Sequence, residues 1–88
     1  MNRQGLRELL DAEDVRDDLY RLDGVPVELS WVLGVVTGGW RVYYYERGRH
    51  EGERRFGTED EACAYLLEML LKDPGSRNSW RARGPQPQ

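Results

Sequence analysis

One cysteine, one histidine, one lysine and no long apolar run are the scarcities of this chain. A lone cysteine, Cys63, excludes an internal disulfide framework and any Cys-based zinc site, and it fits a reducing cytosol. A membrane-spanning helix needs about 20 consecutive apolar residues, and nothing here approaches that. The N-terminus, MNRQGLRELLDAED, turns acidic where a secretory signal would be apolar. The expectation is a cytoplasmic protein with no membrane contact. Size is a further shortage: 88 residues make one small domain, which buries only roughly 60% of the surface of its unfolded form. Core stability must therefore rest on a few large side chains, and the three Trp, five Tyr and one Phe supply them.

The inventory for chemistry is equally thin. His50 falls in a predicted loop tip between Arg49 and Glu51, without the positioned partner and pocket that a general base needs. Cys63 sits one turn into a predicted helix beside three acids, with no histidine downstream to activate it, so a small buried apolar role fits it best. Asp11, Glu13, Asp14, Asp17 and Asp18 lack the spacing of a Ca²⁺ loop. The glycines fall at turns and in strands, outside any phosphate-binding strand–loop–helix context. The sequence thus leads us to expect no catalytic residues, no metal and no cofactor, and a protein that is not an enzyme.

What the chain does have is charge, and it is segregated. Residues 1–30 carry 4 basic and 8 acidic groups, residues 31–57 carry 5 and 3, residues 58–73 carry 1 and 5, and residues 74–88 carry 3 and 0, for a net charge of −3. Basic groups lying between acidic segments argue against a nucleic-acid interface, which would show a dominant basic patch. All basic residues except Lys72 are arginine.

Leu6, Leu9 and Leu10 mark one face of a helix over residues 3–13. A short strand is expected over 19–22, and Asp23-Gly24 is a turn signal. From Val27 the odd positions Val27, Leu29, Trp31, Leu33 and Val35 are apolar, the pattern of a strand with one buried face. Gly38-Gly39 fits a two-residue hairpin turn, because glycine adopts positive φ without steric cost. That turn would set Val35 against Val42 and Leu33 against Tyr44, and on the other face Val32 against Tyr45 and Glu28 against Arg49. A three-residue loop, Arg49-His50-Glu51, would then place Glu53 opposite Arg47, Arg54 opposite Glu46 and Phe56 opposite Tyr44. Changing that loop by one residue would flip Phe56 to the outer face. Thr58-Glu59-Asp60-Glu61 matches a helix capping box, and the helix should run to Lys72 with Ala62, Tyr65, Leu66, Met69 and Leu70 inward, stopped by Asp73-Pro74-Gly75.

The fold expected is α+β and two-layered: an antiparallel meander of three to four strands against an N-terminal and a C-terminal helix, in the order α-β-β-β-β-α. Residues 1–75 form the domain, and 76–88 have the composition of a flexible tail. Both helices cover the odd-position face, which assigns Trp31, Trp40, Tyr44 and Phe56 to the core. The other face is expected to be open, presenting Val32, Val36, Tyr43 and Tyr45 beside Arg41, Arg47, Glu53 and Arg55. Tyrosine and arginine are enriched at binding hot spots, so this face is the candidate contact surface. A partner protein, a second copy of the chain pairing through Tyr43 and Tyr45, or the tail with Trp80 would cover it. A nucleic-acid module using Arg41, Arg47, Arg54 and Arg55, with the tyrosines as stacking platforms, is a weaker alternative.

The stretch Trp40-Arg41-Val42-Tyr43-Tyr44-Tyr45-Glu46-Arg47-Gly48, followed by Phe56-Gly57-Thr58-Glu59-Asp60-Glu61-Ala62-Cys63-Ala64-Tyr65-Leu66-Leu67, carries a resemblance. It is similar to small actinobacterial immunity-type proteins encoded beside polymorphic toxins, in particular NAD glycohydrolases of the tuberculosis-necrotizing-toxin type. The similarity covers residues 3–73. It implies a non-enzymatic protein that docks over the substrate cleft of a cognate protein toxin. Tyr43 and Tyr45 would then anchor the contact, with Glu46 and Arg47 in charge-assisted contacts.

Overall fold

The computed structural model describes residues 1–78. The elements are α1 (Arg3–Ala12), β1 (Tyr20–Arg21), β2 (Ser30–Val36), β3 (Gly39–Glu46), β4 (Arg49–Phe56) and α2 (Glu59–Lys72), with short 3₁₀ turns at Asp17–Leu19 and Pro74–Ser76. This is the α+β order expected, a four-stranded sheet β1-β2-β3-β4 with one helix from each end of the chain.

Local signals place both helices. Asn2 caps α1, its side-chain oxygen accepting from the Gly5 N–H at 2.8 Å, which satisfies one of the donors every helix start leaves free. Thr58 caps α2 by accepting from the Glu61 N–H at 3.2 Å. Glu61 returns to the Thr58 hydroxyl at 3.0 Å, rather than to the backbone N–H of a standard capping box. At the far end of α2, the Ser76 hydroxyl donates to the Leu70 carbonyl at 2.7 Å.

The core joins Leu6 and Leu10 of α1, Leu33 and Val42 of the sheet, and Ala62, Cys63, Leu66 and Leu70 of α2, closed by Val15, Tyr20 and Leu22. Trp31, Trp40, Phe56 and Tyr65 pack around it as half-buried side chains, and Tyr44 meets Trp31 edge-on at 5.5 Å. The domain runs past residue 75, where the tail was expected to begin. Ser76 is fully buried, Arg77 bridges to Val15 and donates to the Glu13 carbonyl at 2.7 Å, and the Asn78 N–H reaches the Asp14 carbonyl at 2.9 Å. The rest of the expected tail, Trp80 included, lies outside the described residues.

The sheet departs from the expected meander in three places. First, β1 pairs parallel to β2, Tyr20 with Trp31 and Arg21 with Val32. Asp23-Gly24 therefore does not close a hairpin. The chain from Leu22 to Leu29 must return to the start of β2, and it crosses the outer face, where a Cβ on Gly34 would lie 3.0 Å from the Gly24 Cα.

Second, the β2–β3 register is two residues from the one expected, with Val35 opposite Trp40, Leu33 opposite Val42 and Val32 opposite Tyr43. The turn is Thr37-Gly38, and only Gly38 has positive φ (85°). Gly39 is already in the ladder, where a Cβ would run into the Phe56 carbonyl oxygen. Because side chains alternate with a period of two, this slip leaves every face assignment intact. The strand itself begins at Ser30, so Val27 and Leu29 lie in the preceding loop. Val35, at the hairpin end, is 65% exposed rather than buried.

Third, β4 begins at Arg49 directly after a two-residue Arg47-Gly48 turn in which both residues have positive φ (55° and 72°), as a type I′ turn requires. Glu46 pairs with Arg49, Tyr45 with His50 and Tyr44 with Glu51, and the register then shifts so that Val42 meets Arg54 and Trp40 meets Phe56. Between those pairs, Gly52 and Glu53 both oppose Tyr43, with Gly52 at φ 60°. This is a β-bulge with glycine in the left-handed position. It supplies the one-residue correction that keeps Phe56 on the helix side. The pairings expected for a three-residue loop, Arg47 with Glu53 and Glu46 with Arg54, are not formed.

Candidate functional site

Arg41, Tyr43 and Tyr45 of β3 share the outer face with His50, Glu53 and Arg55 of β4. Glu53 is the hub. Its carboxylate lies 3.6 Å from Arg41 Nη1 and 3.6 Å from His50 Nδ1, and it accepts from Arg55 Nε at 3.1 Å. The His50 ring stacks on Tyr43, centroids 3.9 Å apart and planes within 12°, and meets Tyr45 edge-on at 5.8 Å. The Arg41 guanidinium lies 5.0 Å from the Tyr43 ring centroid.

This arrangement corrects the expectation of an open face. Tyr43 is 1% exposed and Val32 is fully buried, so neither can touch a partner as it stands. His50 and Arg41 cover Tyr43, and the 22–29 crossover packs against the neighbouring Gly34. Pairing of two copies through Tyr43 has no exposed ring to use. His50 is not a loop-tip residue but a strand residue fixed by a ring stack. The spacing from Gly48 to Gly52 was the available signal for it, since two glycines four apart suit a turn followed by a bulge. Burial raises the Tyr43 phenol above its ordinary pKa, and its hydroxyl has no hydrogen-bond partner.

Of the remaining expected contact residues, Arg41, Glu53 and Arg55 belong to the ion-pair hub, and Tyr45 stays half-buried. Glu46 and Arg47 lie at the β3–β4 turn, where a different surface appears. The backbone N–H of Leu29 donates to the Tyr45 carbonyl at 2.8 Å, and Glu28 accepts from the Arg47 N–H. These bonds fix the end of the 22–29 crossover beside Tyr45 and Arg47. Its apolar side chains point away from the core: Val25 is 52% exposed, Val27 40% and Leu29 54%.

The ledge they form is held locally as well. Asp23 accepts from the Val25 N–H at 3.1 Å, and the Ser30 hydroxyl donates to the Val27 carbonyl at 2.6 Å. Leu29 has φ 62°, a left-handed conformation that costs a non-glycine residue roughly 1–2 kcal/mol. Sequence reading missed the ledge because it assigned Val27 and Leu29 to the buried face of β2.

The thiol of Cys63 is enclosed in the core. Burial, with Glu59 close by, pushes its pKa up to about 11, far from a reactive thiolate. Among the described residues no cluster of His, Cys, Asp and Glu could hold a metal ion, and no helix is long and apolar enough to cross a membrane. Neither a protein-family model, nor a curated protein, nor a solved structure matches the chain.

Proposed function

We propose that this chain is a non-enzymatic inhibitor of the immunity type, acting in the cytosol by docking on a cognate protein toxin and blocking access to its substrate cleft. One observation carries the reading: an exposed apolar ledge, Val25, Val27 and Leu29, fixed beside Tyr45 and Arg47 by backbone hydrogen bonds. Exposed apolar side chains grouped on one surface mark an interaction site, and the tyrosine and arginine beside them are the residue types enriched at hot spots. Because the ledge is ordered by its own hydrogen bonds, little conformational freedom remains to be lost on binding. The left-handed Leu29 supports the same reading, since strain held at an exposed apolar residue is a common mark of a working site.

The class of partner rests on the resemblance of Trp40–Gly48 and Phe56–Leu67 to immunity-type proteins, which suggests an NAD glycohydrolase toxin. Contact residues under this proposal are Leu29, Val27, Tyr45, Glu46 and Arg47, with Arg55 and Glu53 at the rim. Val32 and Tyr43 support the face from within.

Leu29→Gly separates binding from stability in one variant. Glycine accepts φ 62° freely, so the change removes the exposed side chain and relieves the backbone together. Co-purification with the product of the neighbouring gene should succeed for the native chain and fail, or weaken at least tenfold, for Leu29→Gly, whose melting temperature is unchanged or higher. Failure of the native chain to capture a neighbouring toxin, or undiminished capture by Leu29→Gly, would refute the proposal. A dimer that forms through the ledge in place of that complex would refute it as well.

A further inference from the structure

The sheet has two edges of unequal length. β1 closes one with two residues, Tyr20–Arg21, whereas β4 closes the other with eight, Arg49–Phe56, and among the described residues no strand pairs with its far side. Eight extended residues present roughly 27 Å of strand, and an open edge of that length is a template for another strand. Its free backbone groups can be assigned. Glu46 and Arg49 flank the two-residue turn and pair across it, so they exchange their backbone hydrogen bonds, and the alternation of an antiparallel ladder then turns the N–H and C=O of His50 and of Arg55 away from β3.

Charge and a bulge usually keep such an edge from pairing. In β4 they select a register instead. Arg49, Glu51, Arg54 and Phe56 stand opposite Glu46, Tyr44, Val42 and Trp40 on the helix side, while His50 and Arg55 stand opposite Tyr45 and Arg41 on the outer face, where Glu53 reaches Arg41. The extra residue at the Gly52-Glu53 bulge is what puts Glu51 and Arg54 on one face. A second copy laid antiparallel along the edge therefore matches it face for face when Glu51 lies opposite Arg54 of that copy, and by symmetry Arg54 opposite its Glu51. His50 then lies opposite Arg55, the two residues whose backbone groups are free. Sliding by two residues one way sets Arg49 against Arg54, like charge against like; sliding the other way sets Glu53 against Arg54, which lie on opposite faces. The ion pairs of this strand all converge on Glu53, which leaves Glu51 and Arg54 without an oppositely charged partner among the described residues. Arg54 lies over the Tyr65 ring, 5.2 Å from its centroid.

We propose that β4 is the seam of a two-fold dimer, in which two copies of this chain join their sheets edge to edge with Glu51 of each beside Arg54 of the other. The His50–Arg55 pairs exchange backbone hydrogen bonds across the seam, and the two Glu51–Arg54 pairs supply opposite charges directly across from one another. Glu53 of each copy approaches the two-fold axis with its carboxylate already held by Arg41 and Arg55. The partner is an identical chain because the edge is complementary to itself, as a two-fold interface requires. The seam uses β4 alone and does not rest on the toxin-binding reading.

Analytical ultracentrifugation of the full chain over a range of concentrations tests this, together with a charge reversal and a cross-link that read the register. The native chain should form a dimer. Glu51→Arg and Arg54→Glu should each weaken it about tenfold or more, because two symmetric pairs turn from attractive to repulsive, and the double variant Glu51→Arg/Arg54→Glu should restore it. The cross-link is independent of affinity. Residues directly opposite in a non-hydrogen-bonded pair have Cα atoms about 4.5 Å apart, within the range of roughly 4.4–6.8 Å that a disulfide spans. A mixture of Glu51→Cys chains and Arg54→Cys chains should therefore oxidise to a disulfide-linked dimer containing one of each. Either variant alone should not, since its two cysteines would lie three residues apart along the seam, about 10 Å; the native Cys63 is fully buried and does not compete. A native chain that stays monomeric at millimolar concentration, a dimer indifferent to the charge reversals or not restored by the double variant, or no mixed cross-link would each overturn the assignment.

Discussion

Tyr43 separates a buried structural role from an exposed binding role, and the substitution Tyr43→Phe distinguishes them. The ring is 1% exposed, stacked under His50 at 3.9 Å, and its hydroxyl has no partner. On folding, that hydroxyl leaves water and gains nothing in return, a loss of about 1–3 kcal/mol. Removing it keeps the ring, the stack and the contact with Arg41, so Tyr43→Phe should stabilise the protein by about 1 kcal/mol, the lower end of that range. For a domain of this size such a change raises the melting temperature by roughly 4–8 °C. Tyr43→Ala removes the ring as well and should cost about 3–5 kcal/mol, enough to unfold much of a marginal 88-residue domain. Urea and thermal unfolding followed by tryptophan fluorescence would measure both. A Tyr43→Phe variant destabilised by more than about 1 kcal/mol would show that the hydroxyl is bonded in solution. Weakening of the proposed toxin complex by Tyr43→Phe would show that the phenol meets the partner. Either outcome refutes the burial reading.

Two further expectations follow from packing and from buried acids. Gly39→Ala should cost about 3 kcal/mol or unfold the chain, because the new Cβ would meet the Phe56 carbonyl across the β3–β4 ladder. Gly38→Ala, at φ 85° with open space around it, should cost only about 1–2 kcal/mol; the reverse order in urea midpoints would refute the register. Burial holds Cys63 up to about 11 from an ordinary 9.0 and raises Tyr20, Tyr43 and Tyr44 above 10.0. Above pH 9 the unfolded chain therefore holds fewer protons than the folded one, and stability falls as pH rises from 9 through 11. Cys63→Ala should make that decline shallower, and stability unchanged between pH 9 and 11 would contradict the burial of these groups.

The elements and their faces were legible in the sequence because both follow from periodicities that survive small errors. The leucines of α1, the Thr58 cap of α2 and the alternation through Trp31, Leu33, Val42 and Trp40 each state a local preference that the tertiary structure keeps. A two-residue slip at Gly38 leaves that alternation untouched. The direction of β1 was not legible, since Asp23-Gly24 suits the start of a crossover as well as a hairpin turn, and nothing in a two-residue strand records its orientation. With that direction went the cover over Val32 and the exposure of Val25, Val27 and Leu29.

The fourth strand, β4, shows why the site was harder to read than the fold. Keeping Phe56 on the helix side requires an odd number of residues to be absorbed between Glu46 and Phe56. A three-residue loop does this, and so does a two-residue turn followed by a one-residue bulge. Parity cannot choose between them, yet they differ in everything that bears on function. The loop leaves His50 in solvent and Tyr43 open; the turn and bulge start β4 at Arg49, lay His50 over Tyr43 and bring Glu53 between Arg41 and Arg55. Glycine decides it, because Gly48 and Gly52 both need positive φ, one for the turn and one for the bulge. The tyrosines that looked equivalent on alternate residues of β3 thereby part company. Tyr43 becomes part of the protein's own stability, and Tyr45, beside Leu29 and Arg47, is the tyrosine that the proposed contact uses.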